Sequence, residues 1–251
     1  MEKYAAIILA AGKGTRMGGA EGSEIPKVMY EIVGEPIIRH SVTLTRKAGI
    51  QRIVLVVGYK KELIENYFGN EVEYAIQNKQ LGTGHAVACA KSVVKGMSES
   101  VIVFYGDNPL YKPETIQKLI TLYEKEKPTV AMLSVHFDDP MFWAFGRIIR
   151  DEEGEVVGIV EHKDCDKEQL KITECNPGFY IFDAAWLWDN IAKLDTENAQ
   201  HELYLTDMIY LAKEQGKRIV AMPVSEESEA LGINTKEQLE AAGEVLGSRG
   251  R

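Results

Sequence analysis

The first 135 residues alternate short apolar runs with helical stretches, and this alternation limits the chain to few folds. Ala5-Ala6-Ile7-Ile8-Leu9 is apolar at every position and runs into Gly12 and Gly14, the pattern of a strand covered on both sides. Arg52-Ile53-Val54-Leu55-Val56-Val57-Gly58 repeats it with β-branched residues, as do residues 72–76, Ser100-Val101-Ile102-Val103-Phe104-Tyr105 and residues 129–135. Between them, residues 37–48, 61–67, 85–94 and 114–126 carry apolar side chains at helical spacing. Strand–helix units of this length predict an α/β fold whose mainly parallel sheet carries helices on both faces.

The rhythm changes after Asp138-Asp139-Pro140. Residues 146–150 and 155–160 flank the acidic turn Asp151-Glu152-Glu153-Gly154, which predicts a hairpin. A strand over 178–182, a helix over 186–191, helical character over 204–214, a strand over 218–222 and a helix over 236–245 follow. Gly247-Ser248-Arg249-Gly250-Arg251 reads as a frayed tail. With no Pro- or Ser-rich linker and no repeat, residues 1–251 read as one mixed-sheet domain. Its parts are 1–135, a hairpin-bearing lobe over 136–235, and a closing segment over 236–251.

Acidic residues outnumber basic ones 38 to 29, a formal charge of -9. That excludes a general nucleic-acid binder, whose footprint is a basic excess. A small anion held by a locally basic loop stays open. The cysteines, Cys89, Cys165 and Cys175, are odd in number and lack metal-type spacing, which predicts reduced thiols. The N-terminal apolar run is too short to span a bilayer and leads into Gly12-Lys13-Gly14 rather than a cleavage site. A soluble, cytoplasmic protein without a membrane partner is expected.

Leu9-Ala10-Ala11-Gly12-Lys13-Gly14-Thr15-Arg16-Met17 carries the most chemistry. Glycines after a strand let backbone N–H groups approach an anion, and basic residues complete the cradle. Met17 stands where a dinucleotide fingerprint needs glycine, and the spacing of a P-loop is absent. A glycine turn with no ligand remains the alternative on local chemistry alone.

The run resembles the signature of the sugar-1-phosphate nucleotidyltransferases, and Pro26-Lys27-Val28 matches its second half. Further segments appear in that family's order: Gln77 to Ala86 with Leu81-Gly82-Thr83-Gly84-His85-Ala86, then Tyr105-Gly106-Asp107, Gly146-Arg147-Ile148, Ile159-Val160-Glu161-His162-Lys163-Asp164, Asn176-Pro177-Gly178, Tyr204-Leu205-Thr206-Asp207 and Gly232-Ile233-Asn234. Together they are similar to the N-acetylglucosamine-1-phosphate uridylyltransferases of bacteria, over nearly the whole chain.

The resemblance implies a Rossmann-like, glycosyltransferase-A-like sheet, with 1–135 as nucleotide-binding half and 136–235 as sugar-binding lobe. It implies UTP and a sugar 1-phosphate as substrates. The backbone of Leu9, Ala10, Ala11, Gly12 and Gly14 would follow the nucleotide, and Gln77, Gly82 and Thr83 would meet uracil. Tyr105, Gly106, Gly146, Glu161 and Asn176 would line the substrate, the last three at the sugar. Asp107 and Asn234 would hold Mg²⁺. Arg16 would hold the departing pyrophosphate, and Lys27 the α-phosphate or the sugar phosphate. By itself Gln77 reads as a surface residue, His85 as a helix-start or core histidine without a proton-transfer role, and Lys13 as an exposed loop lysine. The nucleophile is an ionised phosphate, so no general base is demanded.

Three departures bear on the substrate. Residues 17–25 form a longer loop carrying Glu21 and Glu24. Met141-Phe142-Trp143-Ala144-Phe145 replaces a short small-residue approach to Gly146, and Pro177 follows Asn176 where the family usually has threonine. These leave room for another sugar or nucleotide, or for a sugar-nucleotide binding module. No hexapeptide-repeat acetyltransferase half is present in the sequence.

Overall fold

The computed structural model describes residues 1–14, 24–141 and 144–249. Strand β1 (Glu2–Ala10) leads to a 3-10 turn at Lys27–Met29, a ribbon of β2 (Glu31–Ile32) and β3 (Glu35–Pro36), and helix α1 (Ile37–Lys47). Then follow β4 (Arg52–Val57), α2 (Lys61–Phe68), β5 (Glu73–Ile76), α3 (Thr83–Cys89), α4 (Lys91–Val94), β6 (Ser98–Tyr105), α5 (Pro113–Glu126) and β7 (Val130–His136). The second half holds the hairpin β8 (Gly146–Arg150) and β9 (Val156–Val160), then β10 (Glu174–Asn176), β11 (Phe179–Asp183), α6 (Ala184–Asn190), α7 (Asp207–Glu214), β12 (Ile219–Pro223) and α8 (Lys236–Arg249).

Ten strands form one sheet in the order β5-β4-β1-β6-β11-β7-β10-β8-β9, with β12 joined to β7. β1 runs parallel between β4 and β6, with Ala10 opposite Val57 and Leu9 opposite Tyr105. β11 is antiparallel to both β6 and β7, so the sheet is mixed, as expected. Successive strand residues face opposite sides. Ala5 and Ile7 therefore join Val54, Val103, Leu187 and Ile209 on one face, while Ala6 and Ile8 join Ile38, Val42, Leu55 and Leu119 on the other. Both faces are covered by helices, which explains why the strands read as continuous apolar runs rather than alternating ones.

Several boundaries differ from the sequence reading. The stretch 85–94 is two helices, α3 and α4, meeting at Ala90, and the 204–214 stretch is helical only from Asp207. The tail expected at 247–251 is helical through Arg249, whose guanidinium donates to the Leu110 carbonyl. β10 is three residues long, too short for a periodic signal, and β2–β3 is a two-residue ribbon turned by Val33 and Gly34, both with positive φ.

A change of partner on β7 shapes the site. Val130 to Met132 pair with β11, whereas Val135 and His136 pair with β10. The chain passes from β10 to β11 through Pro177 and Gly178. Gly178 has φ +80°, and a Cβ there would lie 2.0 Å from a Tyr105 ring carbon. Its N–H donates to Asn176 Oδ1 at 3.1 Å, while Asn108 Nδ2 and the Tyr111 hydroxyl each donate to the Pro177 carbonyl at 3.0 Å. Gly178→Ala should therefore destabilise the fold by about 2–5 kcal/mol, combining overpacking with an unfavourable backbone region. Denaturant midpoints measured on both proteins check this; an unchanged midpoint would contradict the packing described.

Candidate active site

The parallel strands deliver their C-terminal ends to one edge, where β1, β5 and β6 open onto a cleft of about 230 Å³. Its wall includes Leu9 and Ala10 at the end of β1, Ala11 and Gly12 from the loop that follows, Gln77, Gly82 and Thr83 from the segment after β5, and Lys27, Tyr105 and Asp107. This is the edge at which open α/β sheets bind ligands. Lys13 is exposed, as expected. Arg16 lies outside the described residues.

The glycines of Leu81-Gly82-Thr83-Gly84 are explained by a crossing chain. Leu203 N–H donates to the Leu81 carbonyl, and Gly84 N–H to the Leu203 carbonyl, both at 2.8 Å. Gly82 has φ +108°, and a Cβ on it would fall 2.5 Å from the Leu203 oxygen. Thr83 Oγ1 accepts from Leu205 N–H at 2.9 Å, so the hydroxyl is fixed by the same crossing. Gln77 is only 4% exposed, which corrects its reading as a surface residue. Its amide Nε2 sits 3.0 Å from the Gly82 carbonyl and 3.0 Å from His85 Nδ1.

Lys27 stands at the junction with a second cavity of about 360 Å³, whose wall it shares with Thr83, Tyr105 and Asp107, and which adds Asn108, Ala144, Phe145, Gly232, Asn234 and Gln238. The Lys27 ammonium is paired with Asp107 Oδ2 and donates to Asn234 Oδ1 at 3.0 Å. Both members of the ion pair are 16% exposed. Backbone contacts set this meeting point: Ile233 N–H donates to the Asp107 carbonyl at 3.0 Å, and Gln238 Oε1 accepts from Asn234 N–H at 2.7 Å. Gly14 packs against Lys27, with only 2.7 Å between a built Cβ and the lysine Cβ.

Glu161 and Gly146 form a further group at the hairpin; a Cβ on Gly146 would lie 3.5 Å from Glu161 Oε2. The Thr206 hydroxyl donates to Glu161 Oε1 at 3.0 Å. Burial pushes the Glu161 carboxyl up, Thr206 draws it back, and Asp207, Asp164 and Glu202 raise it again. Asp207 is pushed up to about 6, chiefly by burial and then by Asp195 and Asp164. Burial, with Glu161 and Asp107 adding to it, also holds the Tyr105 phenol neutral. The buried Asn176 amide is held within the protein, its Nδ2 donating to the Tyr180 hydroxyl at 2.6 Å and its Oδ1 accepting from Gly178 N–H.

Gly106 is not part of either cavity wall; its N–H donates to the Leu9 carbonyl, its carbonyl accepts from Ser41 Oγ, and Ile38 packs where a Cβ would stand. Gly146, Glu161 and Asn176 line neither of these two cavities. The sequence reading missed Gln238 and gave no role to Asn108, which follows Asp107 in its motif, or to Thr206. Thr206 lay in a motif already noted, Tyr204-Leu205-Thr206-Asp207, so its position was visible though its partner was not.

Comparison with known proteins places the chain in a family. Over 248 residues the chain is 40% identical to the bifunctional protein GlmU of Geotalea daltonii, covering 98% of this chain and 53% of that protein. It is 42% identical over 244 residues to the bifunctional protein GlmU of Geobacter sulfurreducens, covering 96% of this chain and 50% of the relative. The chain thus spans about half the length of these relatives. A crystal structure of UDP-glucose pyrophosphorylase complexed with UDP-glucose superposes with a TM-score of 0.79 at 19% identity, covering 99% of this chain and 100% of that one, and so shares the fold. The nucleotidyl transferase family matches residues 5–228, and the chain belongs to that family.

Proposed function

We propose that this chain is a sugar-1-phosphate uridylyltransferase that forms UDP-N-acetylglucosamine and pyrophosphate from UTP and N-acetylglucosamine 1-phosphate. The observation that carries the reading is the meeting of Lys27, Asp107 and Asn234 on the wall shared by two cavities. The first cavity, with the glycine loop and Gln77, suits a nucleotide; the second suits the sugar phosphate. The curated relatives named GlmU and the order of the motifs support the same reading.

In the reaction an oxygen of the sugar phosphate attacks the α-phosphorus of UTP. A new P–O bond forms as the α–β bridging bond breaks and pyrophosphate departs. The task of the protein is to align two anions and offset their repulsion. Lys27 holds the α-phosphate or the sugar phosphate, and Arg16 holds the departing pyrophosphate. The backbone of Leu9 to Gly12 follows the nucleotide, Gly82 and Thr83 border the base, and Glu161 and Gly146, together at the hairpin, are assigned to the sugar hydroxyls.

The donor set of Asp107 and Asn234 fits Mg²⁺. One carboxylate and one amide oxygen already converge on a cation, the lysine ammonium, and Mg²⁺ takes few protein oxygens, completing its shell from phosphate and water. Bound there, the ion supplies charge neutralisation at the phosphate oxygens.

Another sugar is the second reading, favoured by two observations. Phe145 stands in the second cavity wall, and the Asn176 amide is occupied by Tyr180 and Gly178. Pyrophosphate release measured with UTP, dTTP, CTP, ATP and GTP against a panel of sugar 1-phosphates separates the readings. Fastest turnover with UTP and N-acetylglucosamine 1-phosphate is expected; release with no pair would defeat the enzymatic assignment. Lys27→Ala should lower kcat by about 10²–10³-fold, as loss of one charge-stabilising donor does, and near-normal turnover would remove Lys27 from the reaction. Asp107→Ala should abolish the response of activity to added Mg²⁺, and a wild-type titration curve would refute its place at the metal.

A further inference from the structure

Gln77 follows β5 and lies in the wall of the cavity assigned above to the nucleotide. A glutamine amide ordinarily offers a ligand both a donor and an acceptor. Here its surroundings remove that choice. The Gly82 carbonyl, 3.0 Å from Nε2, can only accept, so the amide nitrogen and not the amide oxygen must face it. This fixes the orientation of the side chain. The second amide hydrogen then points at His85 Nδ1, also at 3.0 Å. Nδ1 must then accept, which leaves the ring N–H to Nε2, facing Cys89 Sγ at 3.8 Å.

Both amide hydrogens of Gln77 are consumed within the protein, and Oε1 alone is left for a ligand. We infer that His85 is a positioning residue that makes Gln77 an acceptor-only reader of the pyrimidine edge. Uracil presents an N–H at position 3, whereas cytosine presents a lone pair there. An acceptor-only glutamine pairs with the first and leaves two lone pairs facing each other with the second. Without the His85 acceptor the amide is held by the Gly82 carbonyl alone, so it can turn and bring an N–H to the base, and cytosine is no longer rejected. The inference rests on the nucleotide reading of the cavity. It assigns His85 no contact with substrate and no proton transfer.

Three variants test it. His85→Asn keeps an acceptor near the position of Nδ1. His85→Gln moves the acceptor outward, and His85→Met deletes it at similar bulk. Isothermal titration with UTP and CTP, together with kcat and KM for each, gives the discrimination ratio. Wild type and His85→Asn should prefer UTP. In His85→Gln and His85→Met the UTP-to-CTP ratio of kcat/KM should fall about tenfold, the worth of one neutral hydrogen bond, with the change carried by KM rather than kcat. The Asn and Gln variants keep the test open where the methionine fails to fold. An unchanged ratio in the variants, with wild type still binding UTP, would overturn the role of His85 alone. Wild-type protein that binds neither nucleotide would overturn the nucleotide reading and this inference with it.

Discussion

Everything at the site follows from one constraint: β1 pairs in parallel with β4 on one side and β6 on the other. Parallel neighbours need a crossover to return the chain to the same end, so the loops that leave them share one edge. Leu9 stands opposite Tyr105 and Ala10 opposite Val57, which brings the loop after β1, the turn at Gly58 and the Gly106-Asp107 step to one level. Small residues are required where these loops converge. The strand interiors, buried on both faces, supply the rigidity that lets short backbone segments hold fixed positions.

The charge arrangement at that edge is local by necessity. The chain is acidic as a whole, yet screening confines most surface charge to about 10 Å at ordinary salt, so distant carboxylates matter little to a bound phosphate. What counts is the immediate neighbourhood. Lys27 is balanced by Asp107 and seated against Asn234, so an incoming phosphate meets an ammonium that is already aligned but not free. At the hairpin the balance reverses. Burial raises the Glu161 and Asp207 carboxyls, the charges of Asp164 and other nearby carboxylates add to it, and that neighbourhood disfavours further negative charge. Charge is thus divided along the site: a lysine at the wall the two cavities share, and a group of carboxylates at the hairpin.

Features encoded within a few residues were legible in the sequence. A β-branched run ending in glycine predicts a strand and its loop, and Asp107 just beyond such a run predicts a carboxylate at the binding edge. The fold class and the hairpin at Asp151 to Gly154 were legible for the same reason. What stayed hidden depends on contacts between distant segments. Gln77 looks like surface until its amide is seen held by Gly82 and His85, and the glycines of its motif gain their reason only from Leu203, which crosses more than a hundred residues later. Arg147 looks like a hairpin charge, but it is fully buried and its guanidinium donates to the carbonyls of Pro140 and Phe145. Asn176 was placed at the sugar by the resemblance alone; that its amide also bonds Tyr180 and Gly178 could not be read from motif order.

The divided pairing of β7 has a consequence for how such a chain can be reshaped. One strand serves β11 along its first part and β10 along its second, so the hairpin side and the glycine-loop side share a single hydrogen-bonded ladder. The hairpin side is therefore no detachable cassette. Grafting that region from a relative transplants half the pairing of β7 with it, together with the Pro177 carbonyl that Asn108 and Tyr111 grasp from the other side. Altered substrate choice in this scaffold is reached through side chains on the cavity walls, because the seam between the halves runs through the backbone of the sheet itself.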